Sequence, residues 1–149
     1  MKCILICLLS IAPLWAFSQG MKIKWEDEKG REFSVNTHSG DFQYSMIEGD
    51  DLFYNTGSIY DTGPEGTIKK IGSITIEWNT GSIYDTGPKG TIKKVGSITV
   101  EWNTGSIYDS GPEGTIKKVG GMTINYNTGS IYDSGPKGTI KNTSGSVKK

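Results

Sequence analysis

Apolar and polar residues alternate along most of this chain with the period of a β-strand. Between residues 66 and 78, one face collects the apolar side chains Ile68, Ile74, Ile76 and Trp78. The other face collects Thr67, Lys69, Ser73, Thr75 and Glu77. The stretch is rich in β-branched and aromatic residues, and no window of the chain has a convincing helical period. The pattern therefore predicts an all-β protein.

The alternating stretch belongs to a tandem repeat of 24 residues. The heptad Asn-Thr-Gly-Ser-Ile-Tyr-Asp begins at Asn55, Asn79, Asn103 and Asn127. Units 55–78 and 79–102 are identical at 21 of 24 positions. A fixed period of this length is typical of arrays in which each unit buries its apolar face against its neighbours. We assign residues 55–140 to four repeats, the last of them incomplete, and residues 141–149 to a polar tail.

The N-terminal 18 residues have the pattern of a secretory signal peptide. Lys2 supplies the positive start, residues 4–17 an apolar stretch, and Ala16-Phe17-Ser18 a cleavage site. The alternative is a retained membrane anchor, but the apolar stretch is shorter than the roughly 20 residues that span a bilayer. Both cysteines, Cys3 and Cys7, lie in this segment. We expect a thiol-free mature chain that is secreted, periplasmic or on the outer cell surface, with no transmembrane span.

Residues 19–54 carry a divergent version of the repeat. The triplet Ile23-Lys24-Trp25 is similar to Ile76-Glu77-Trp78, and a polar segment from Glu26 to Gly30 separates two apolar alternations. Such a segment is typical of a hairpin turn. Because residues 20–54, 35 in number, are too few to bury a core alone, we expect N-terminal capping hairpins and not a second domain.

Two architectures fit the repeat. In the first, a short strand at 58–61 and a long bent strand at 67–78 form a hairpin, and successive hairpins make an extended or curled antiparallel sheet. Gly81 then takes the left-handed position of a short turn. In the second, each unit is one coil of a three-sided parallel β-solenoid with Gly72 at a corner. The turn residues and the unbroken strand parity favour the antiparallel sheet.

Charge and composition exclude several classes of function. Sixteen basic and sixteen acidic residues give a formal net charge of zero, so the chain lacks the positive field that nucleic-acid binding requires. His38 is the single histidine, and no second His or Cys after the signal peptide completes a zinc site or a nucleophile-base pair. The array repeats each carboxylate in the same surroundings, whereas an active site needs a group of different catalytic residues at one place in the molecule. We predict a non-enzymatic protein without catalytic, cofactor-binding or metal residues.

One aspartate recurs in every repeat. The row consists of Asp61, Asp85, Asp109 and Asp133. Carboxylates stacked on neighbouring units are candidate calcium ligands. A single carboxylate per unit favours the alternative, an Asx-turn in which each Asp accepts a hydrogen bond from the backbone N–H two residues further on.

Two aromatic rows flank the Asn-Thr-Gly sequence. The row before it shares the face of Ile74 and Ile76 and is predicted to be core: Tyr54, Trp78, Trp102 and Tyr126. The row after it has the parity opposite to Ile59 and is the candidate ligand-binding row: Tyr60, Tyr84, Tyr108 and Tyr132. Exposed tyrosines stack on sugar rings or contact a protein partner. The alternative is cross-strand packing within the sheet.

The sequence Tyr60-Asp61 followed by Gly66-Thr-Ile-Lys-Lys-Ile71 resembles the YD repeat of Rhs-type bacterial surface proteins. The longer phrase through Trp78 is similar to uncharacterised secreted bacterial tandem β-repeat proteins. The resemblance implies a strip of hairpins at a bacterial cell envelope. We therefore expect a structural or adhesive role, with an envelope component, a surface protein or a polysaccharide as partner. The alternative is a carbohydrate- or calcium-dependent binding module that uses the Tyr or Asp row.

Overall fold

The computed structural model describes residues 20–148, and this range is all-β. The predicted signal peptide, residues 1–18, lies outside it. The strands are β1 (Lys22–Glu26), β2 (Glu32–Asn36), β3 (Phe42–Tyr44), β4 (Leu52–Tyr54), β5 (Ile68–Ile71), β6 (Ile74–Trp78), β7 (Ile92–Val95), β8 (Ile98–Trp102), β9 (Ile116–Val119), β10 (Met122–Tyr126) and β11 (Ile140–Ser144). Within residues 20–148, no helix is long and apolar enough to cross a membrane.

Strands β4 to β11 form one eight-stranded sheet in chain order. Every neighbouring pair in this sheet is antiparallel. The prediction of an antiparallel sheet of hairpins is confirmed, and the repeats do not form the parallel three-sided coil. Each of the three complete repeats contributes one tight hairpin, as in β5 and β6, where Ile71 lies opposite Ile74.

The long bent strand predicted at 67–78 is wrong in detail, because the segment is two strands joined by a tight turn. Gly72 at the turn has a φ of +54°, in the left-handed region that glycine adopts without strain. With Ser73 it forms a two-residue connection of the kind that matches the twist of the flanking strands. The turn reverses the parity, and Ile71 is consequently fully buried on the core side.

Strands β1, β2 and β3 form a separate three-stranded antiparallel sheet. Glu26 lies opposite Glu32, so the polar segment between them is a hairpin turn, as expected. This sheet covers the apolar face of the eight-stranded sheet. The Ile116 N–H donates to the Thr37 carbonyl oxygen at 2.8 Å, and the Phe42 ring meets the Trp78 ring edge-on at 6.1 Å.

The buried apolar residues of both sheets make one core. The smaller sheet contributes Ile23, Trp25, Phe33 and Val35, and the larger one Ile68, Ile71, Ile76, Ile92, Val95, Val100, Trp102, Ile116, Val119, Ile124 and Tyr126. Val147 from the tail joins the same cluster. The repeats thus bury their apolar face against their neighbours and against the N-terminal sheet.

A buried ion pair holds the connection between the two sheets. The Arg31 side chain, 2% exposed, donates from Nε to Asp50 Oδ2 at 2.8 Å and from Nη1 to Asp27 Oδ2 at 2.8 Å. The hydrogen bonds from Arg31 lower the pKa of Asp50 to about 2. The 45–51 segment is therefore tied to β2, and β4 is placed at the edge of the repeat sheet.

Candidate functional site

Four equivalent loops lie side by side at one end of the strands of the repeat sheet. They join β4 to β5, β6 to β7, β8 to β9 and β10 to β11, and they span residues 55–67, 79–91, 103–115 and 127–139. In an antiparallel meander, alternate connections fall at the same end of the strands. The tight hairpin turns lie at the opposite end, so all four long loops face the same way.

Hydrogen bonds from the first asparagine close the base of each loop. The Asn55 N–H donates to the Thr67 carbonyl oxygen at 2.8 Å, and the Gly66 N–H donates back to the Asn55 carbonyl oxygen at 2.8 Å. The Asn55 side-chain amide donates to the Thr67 hydroxyl at 2.9 Å. The same bonds recur in the other three loops, where each asparagine is also buried. The loop ends are thus fixed to the sheet.

The recurring aspartate fixes the interior of each loop. Asp61 Oδ2 accepts hydrogen bonds from the Thr56 N–H at 2.6 Å, the Thr56 hydroxyl at 3.0 Å and the Ser58 N–H at 3.1 Å. Its Oδ1 pairs with Lys69 Nζ at 2.6 Å. The predicted Asx-turn is wrong in direction, because the donors precede Asp61 by three to five residues instead of following it. The carboxylate cross-links the loop and docks it on β5.

The aspartates lie in four separate loops, and each has its own lysine partner. The pairs are Asp61 with Lys69, Asp85 with Lys93, Asp109 with Lys117 and Asp133 with Lys141, at 2.6 to 2.9 Å. Across residues 20–148, no group of three or more His, Cys, Asp or Glu residues is placed to hold a metal ion. In this geometry the row stabilises the loops through lysine and backbone donors.

These contacts lower the pKa of all four aspartates. Hydrogen bonding from Lys117, with further bonds from Thr104, lowers the pKa of Asp109 to about 2. The corresponding lysine bonds hold the pKa of the other three carboxyls well below their usual range. Because the folded pKa is lower than the unfolded value of about 3.9, ionisation of these groups favours the folded loop.

We therefore expect the melting temperature to fall as the pH is lowered from about 4 to 2 and below. The stabilisation is complete above the unfolded pKa of about 3.9 and is lost as the pH falls through the folded values. The matched control changes all four aspartates to Asn. This variant should melt lower than wild type at pH 7 and lose less stability in acid. Parallel curves of melting temperature against pH for the two proteins would contradict the prediction.

The outermost part of each loop is a reverse turn that exposes an isoleucine and a tyrosine. The Asp61 N–H donates to the Ser58 carbonyl oxygen at 3.0 Å, so the predicted strand at 58–61 is wrong. Ile59 and Tyr60 occupy the two corners of this turn and are 89% and 84% exposed. Strand parity does not apply at a turn, and both side chains therefore point outward together. Cross-strand packing does not cover the tyrosine.

The same pair is exposed in all four loops. We call these eight side chains the tip row: Ile59, Tyr60, Ile83, Tyr84, Ile107, Tyr108, Ile131 and Tyr132. Their exposure is 84% or more at every position. Sequence reasoning identified the tyrosines as the candidate row but missed the isoleucines, which it placed on the opposite side of a strand. The signal was the Ser-x-x-Asp spacing around each pair, which favours a turn.

The other aromatic row supports the loops from below. Trp102 and Tyr126 are 2% exposed and Trp78 is partly buried, whereas Tyr54 is 49% exposed. The prediction of a core position is thus wrong for Tyr54. A loop glycine packs on each of the other rings, so closely that a Cβ there would overlap the ring: Gly63 on Trp78, Gly87 on Trp102 and Gly111 on Tyr126. Tyr54 precedes the first loop and has no loop above it.

Neighbouring loops contact one another, so the four tips are held in a single row. A Cβ at Gly90 would lie 3.6 Å from Pro64 Cγ of the preceding loop, and Gly114 and Gly138 lie in the same way against Pro88 and Pro112. Successive loops are two strands apart. Since paired strands are about 4.8 Å apart, the loops leave the sheet roughly 9.6 Å apart.

A charged side chain of alternating sign lies beside each tip. The four are Glu65, Lys89, Glu113 and Lys137, and all are exposed. The Glu65 carboxylate lies against Gly57, and the Lys89 stem lies against Gly81, and each glycine directly precedes the turn that carries the exposed pair. The tip row is therefore apolar at each corner, flanked by charge, and neutral over its length.

A groove of about 800 Å³ lies away from the tips, between the β1–β2 hairpin and the tight turns of the repeats. Trp25, Phe33 and Ile98 line it together with Arg31 and Asp27. The two charged groups pair with each other at 2.8 Å, as part of the contact between the sheets. The tip row is consequently the most exposed apolar feature of residues 20–148.

Comparison with known proteins adds no assignment to this geometry. No family model, curated protein or solved structure matches the chain.

Proposed function

We propose that this chain is a non-enzymatic repeat protein of the secreted fraction or cell envelope, and that the tip row is its adhesive surface. The observation that supports this proposal is that an exposed Ile and Tyr pair occurs on each of the four loops at one end of the sheet's strands. Apolar side chains grouped in an exposed row are typical of interaction surfaces. Tyrosine adds a large contact area with a polar end that tolerates water.

The construction of the loops favours binding over chemistry. The carboxylate of each loop is paired with a lysine, and its backbone is fixed by Asn, Thr and Asp hydrogen bonds. A tip that is already ordered loses little conformational entropy when it binds. Four equal tips on one sheet allow a repetitive partner to engage several at once, which raises the overall affinity without any new kind of contact.

The location is inferred from the N-terminal sequence and from the resemblance to YD repeats. Residues 1–18 have the charged start, apolar stretch and small-residue cleavage site of an exported protein. Cys3 and Cys7 lie within that segment, so the repeats are built without cysteine. A thiol-free repeat sheet with its apolar tips outward suits a bacterial envelope, where a structural or adhesive protein meets extended polymers and other surface proteins.

Changing the eight tip residues to Ser should abolish adhesion while leaving the fold intact. The side chains are almost fully exposed, and surface substitutions usually change stability by less than about 0.5 kcal/mol each. The measurement is sedimentation of labelled protein with envelope preparations of the source organism. The matched control changes Met46 and Phe53, two exposed apolar residues away from the tips, to Ser. Equal sedimentation of wild type and the tip variant would contradict the proposed function.

A further inference from the structure

We propose that the tip row binds a linear β-1,4-linked glycan, with one tip for each disaccharide. The proposal rests on the function proposed above and names its ligand class. The loops that carry the tips leave the sheet two strand spacings apart, roughly 9.6 Å. An extended β-1,4-linked chain turns the same sugar face to the same side at every second residue, a repeat of nearly the same length. The two periodicities allow neighbouring tips to bind in register.

The side chains at each tip suit a sugar ring. The ring of Tyr84 is 84% exposed and offers its face to the C–H face of a sugar, while Ile83 beside it, 91% exposed, widens the apolar contact. The flanking charge alternates between a carboxylate and an ammonium along the row. Sugar hydroxyls both donate and accept hydrogen bonds. A uniform neutral glycan can therefore satisfy Glu65 at one tip and Lys89 at the next.

The same charges disfavour a lipid bilayer as the partner. Glu65 lies against Gly57, only two residues before Ile59, so its carboxylate would enter the membrane with the tip. Charged groups are expensive in the apolar part of a bilayer. Two Glu and two Lys flank the tip row, and their net charge of zero gives no attraction to anionic lipid headgroups.

The right-handed twist that is typical of β-sheets favours a soluble chain over a flat crystalline surface. Adjacent strands of a sheet typically rotate by roughly 20–25°, so we expect consecutive tips to be turned by about 45° relative to each other. A flat polysaccharide crystal face can contact one or two tips at a time. A single flexible glycan chain can follow the row, and we therefore expect soluble or amorphous glycan to bind better than crystalline material.

Calorimetric titration with neutral cello-oligosaccharides and chito-oligosaccharides tests the proposal. The dissociation constant should fall with each added disaccharide and level off at the octasaccharide, which spans all four tips. We expect at least a tenfold decrease, by an order-of-magnitude estimate, between the disaccharide and the hexasaccharide, because linked contacts raise the effective concentration. An α-1,4-linked maltohexaose is the control for linkage and should bind no better than a disaccharide.

Two variants with the same composition test the register. One changes the inner pair, Tyr84 and Tyr108, to Ser; the other changes the outer pair, Tyr60 and Tyr132. Each retains two tyrosines, but only the outer-pair variant keeps them on neighbouring tips. The hexasaccharide should therefore bind the outer-pair variant more tightly than the inner-pair variant. An equal loss of hexasaccharide affinity in both variants would overturn the proposal that neighbouring tips bind successive disaccharides.

The outcomes separate this inference from the proposed function. If no oligosaccharide binds while the tip variant still loses adhesion to envelopes, the glycan is wrong and the adhesive row stands. Binding to phosphatidylcholine vesicles that depends on the tips, without glycan binding, overturns it in favour of a lipid surface. Affinity that does not change with glycan length overturns it as well. If the tip variant adheres as wild type does, the proposed function itself fails.

Discussion

Replacing Trp102 with Ala should lower the free energy of unfolding by about 3–5 kcal/mol, the range for a buried tryptophan. The side chain is 2% exposed, and its Nε1–H donates to the Ile92 carbonyl oxygen at 2.9 Å. The ring joins three parts of the molecule. It packs under Gly87 of a long loop, and a Cβ at Gly40 of the N-terminal sheet would lie 2.6 Å from its Cη2. Chemical denaturation at neutral pH measures the loss.

A residue at the same repeat position that is only half-buried provides the control for the Trp102 substitution. Tyr54 occupies the same repeat position but is 49% exposed, so Tyr54→Ala should cost much less. Tyr84→Ala at a tip should cost least, because the side chain makes no core contact. Tyr126→Ala should approach the Trp102 value, since its hydroxyl donates to the Ile116 carbonyl oxygen at 2.7 Å and the residue is buried. Equal losses at Tyr54 and Trp102 would show that the loops do not cover the aromatic row.

Strand parity was sufficient to predict the class of fold and the antiparallel pairing. Alternation from Ile74 to Trp78 is a local property, and it continues unchanged into the observed β6. The tight turn at Gly72 was not predicted, although Ile71, an apolar residue on the polar parity, is a signal for it. A single unbroken strand left that residue on the solvent face. A two-residue hairpin buries it instead, and the gain from burying a large apolar side chain favours the hairpin.

The loops could not be predicted by parity because side chains determine their shape. The bond from the Thr56 N–H to Asp61 depends on a turn between the two residues, and the bond from Lys69 to Asp61 depends on the loop returning to β5. Neither follows from alternation. The tyrosine row was nevertheless identified, since a repeated aromatic between Gly and Asp stands out in any alignment of the units. Its isoleucine partner was assigned to the interior only because a strand was assumed.

The packing of the N-terminal sheet on the repeats also could not be predicted from the local alternation of apolar and polar residues. Thr37 and Ile116 are far apart in the chain, and each belongs to a segment that pairs normally with its own sequence neighbours. The sequence does indicate that a second layer must pack on the apolar face of the repeats. Each repeat has one apolar face, and an open sheet of eight strands leaves that face in water unless another layer packs on it.

The N-terminal sheet should therefore be indispensable, and deleting residues 20–45 from the mature chain should abolish cooperative folding. The deletion removes four buried apolar side chains: Ile23, Trp25, Phe33 and Val35. Burial of a large apolar side chain contributes about 1.5–3 kcal/mol, so together they supply roughly 6–12 kcal/mol. That amount is comparable to the whole stability of a typical domain, about 5–15 kcal/mol. The deletion also exposes the repeat residues beneath the sheet.

Urea denaturation followed by near-UV circular dichroism and by dye binding to apolar surface measures the effect. The truncated chain should lack a sigmoidal transition and should bind the dye or aggregate. Trp25→Ala is the graded control and should unfold cooperatively at a lower urea concentration than wild type, because it removes one contact and leaves the layer in place. A truncated chain that unfolds cooperatively at the wild-type midpoint would mean that the repeats are stable without a cover, as an isolated linear array would be.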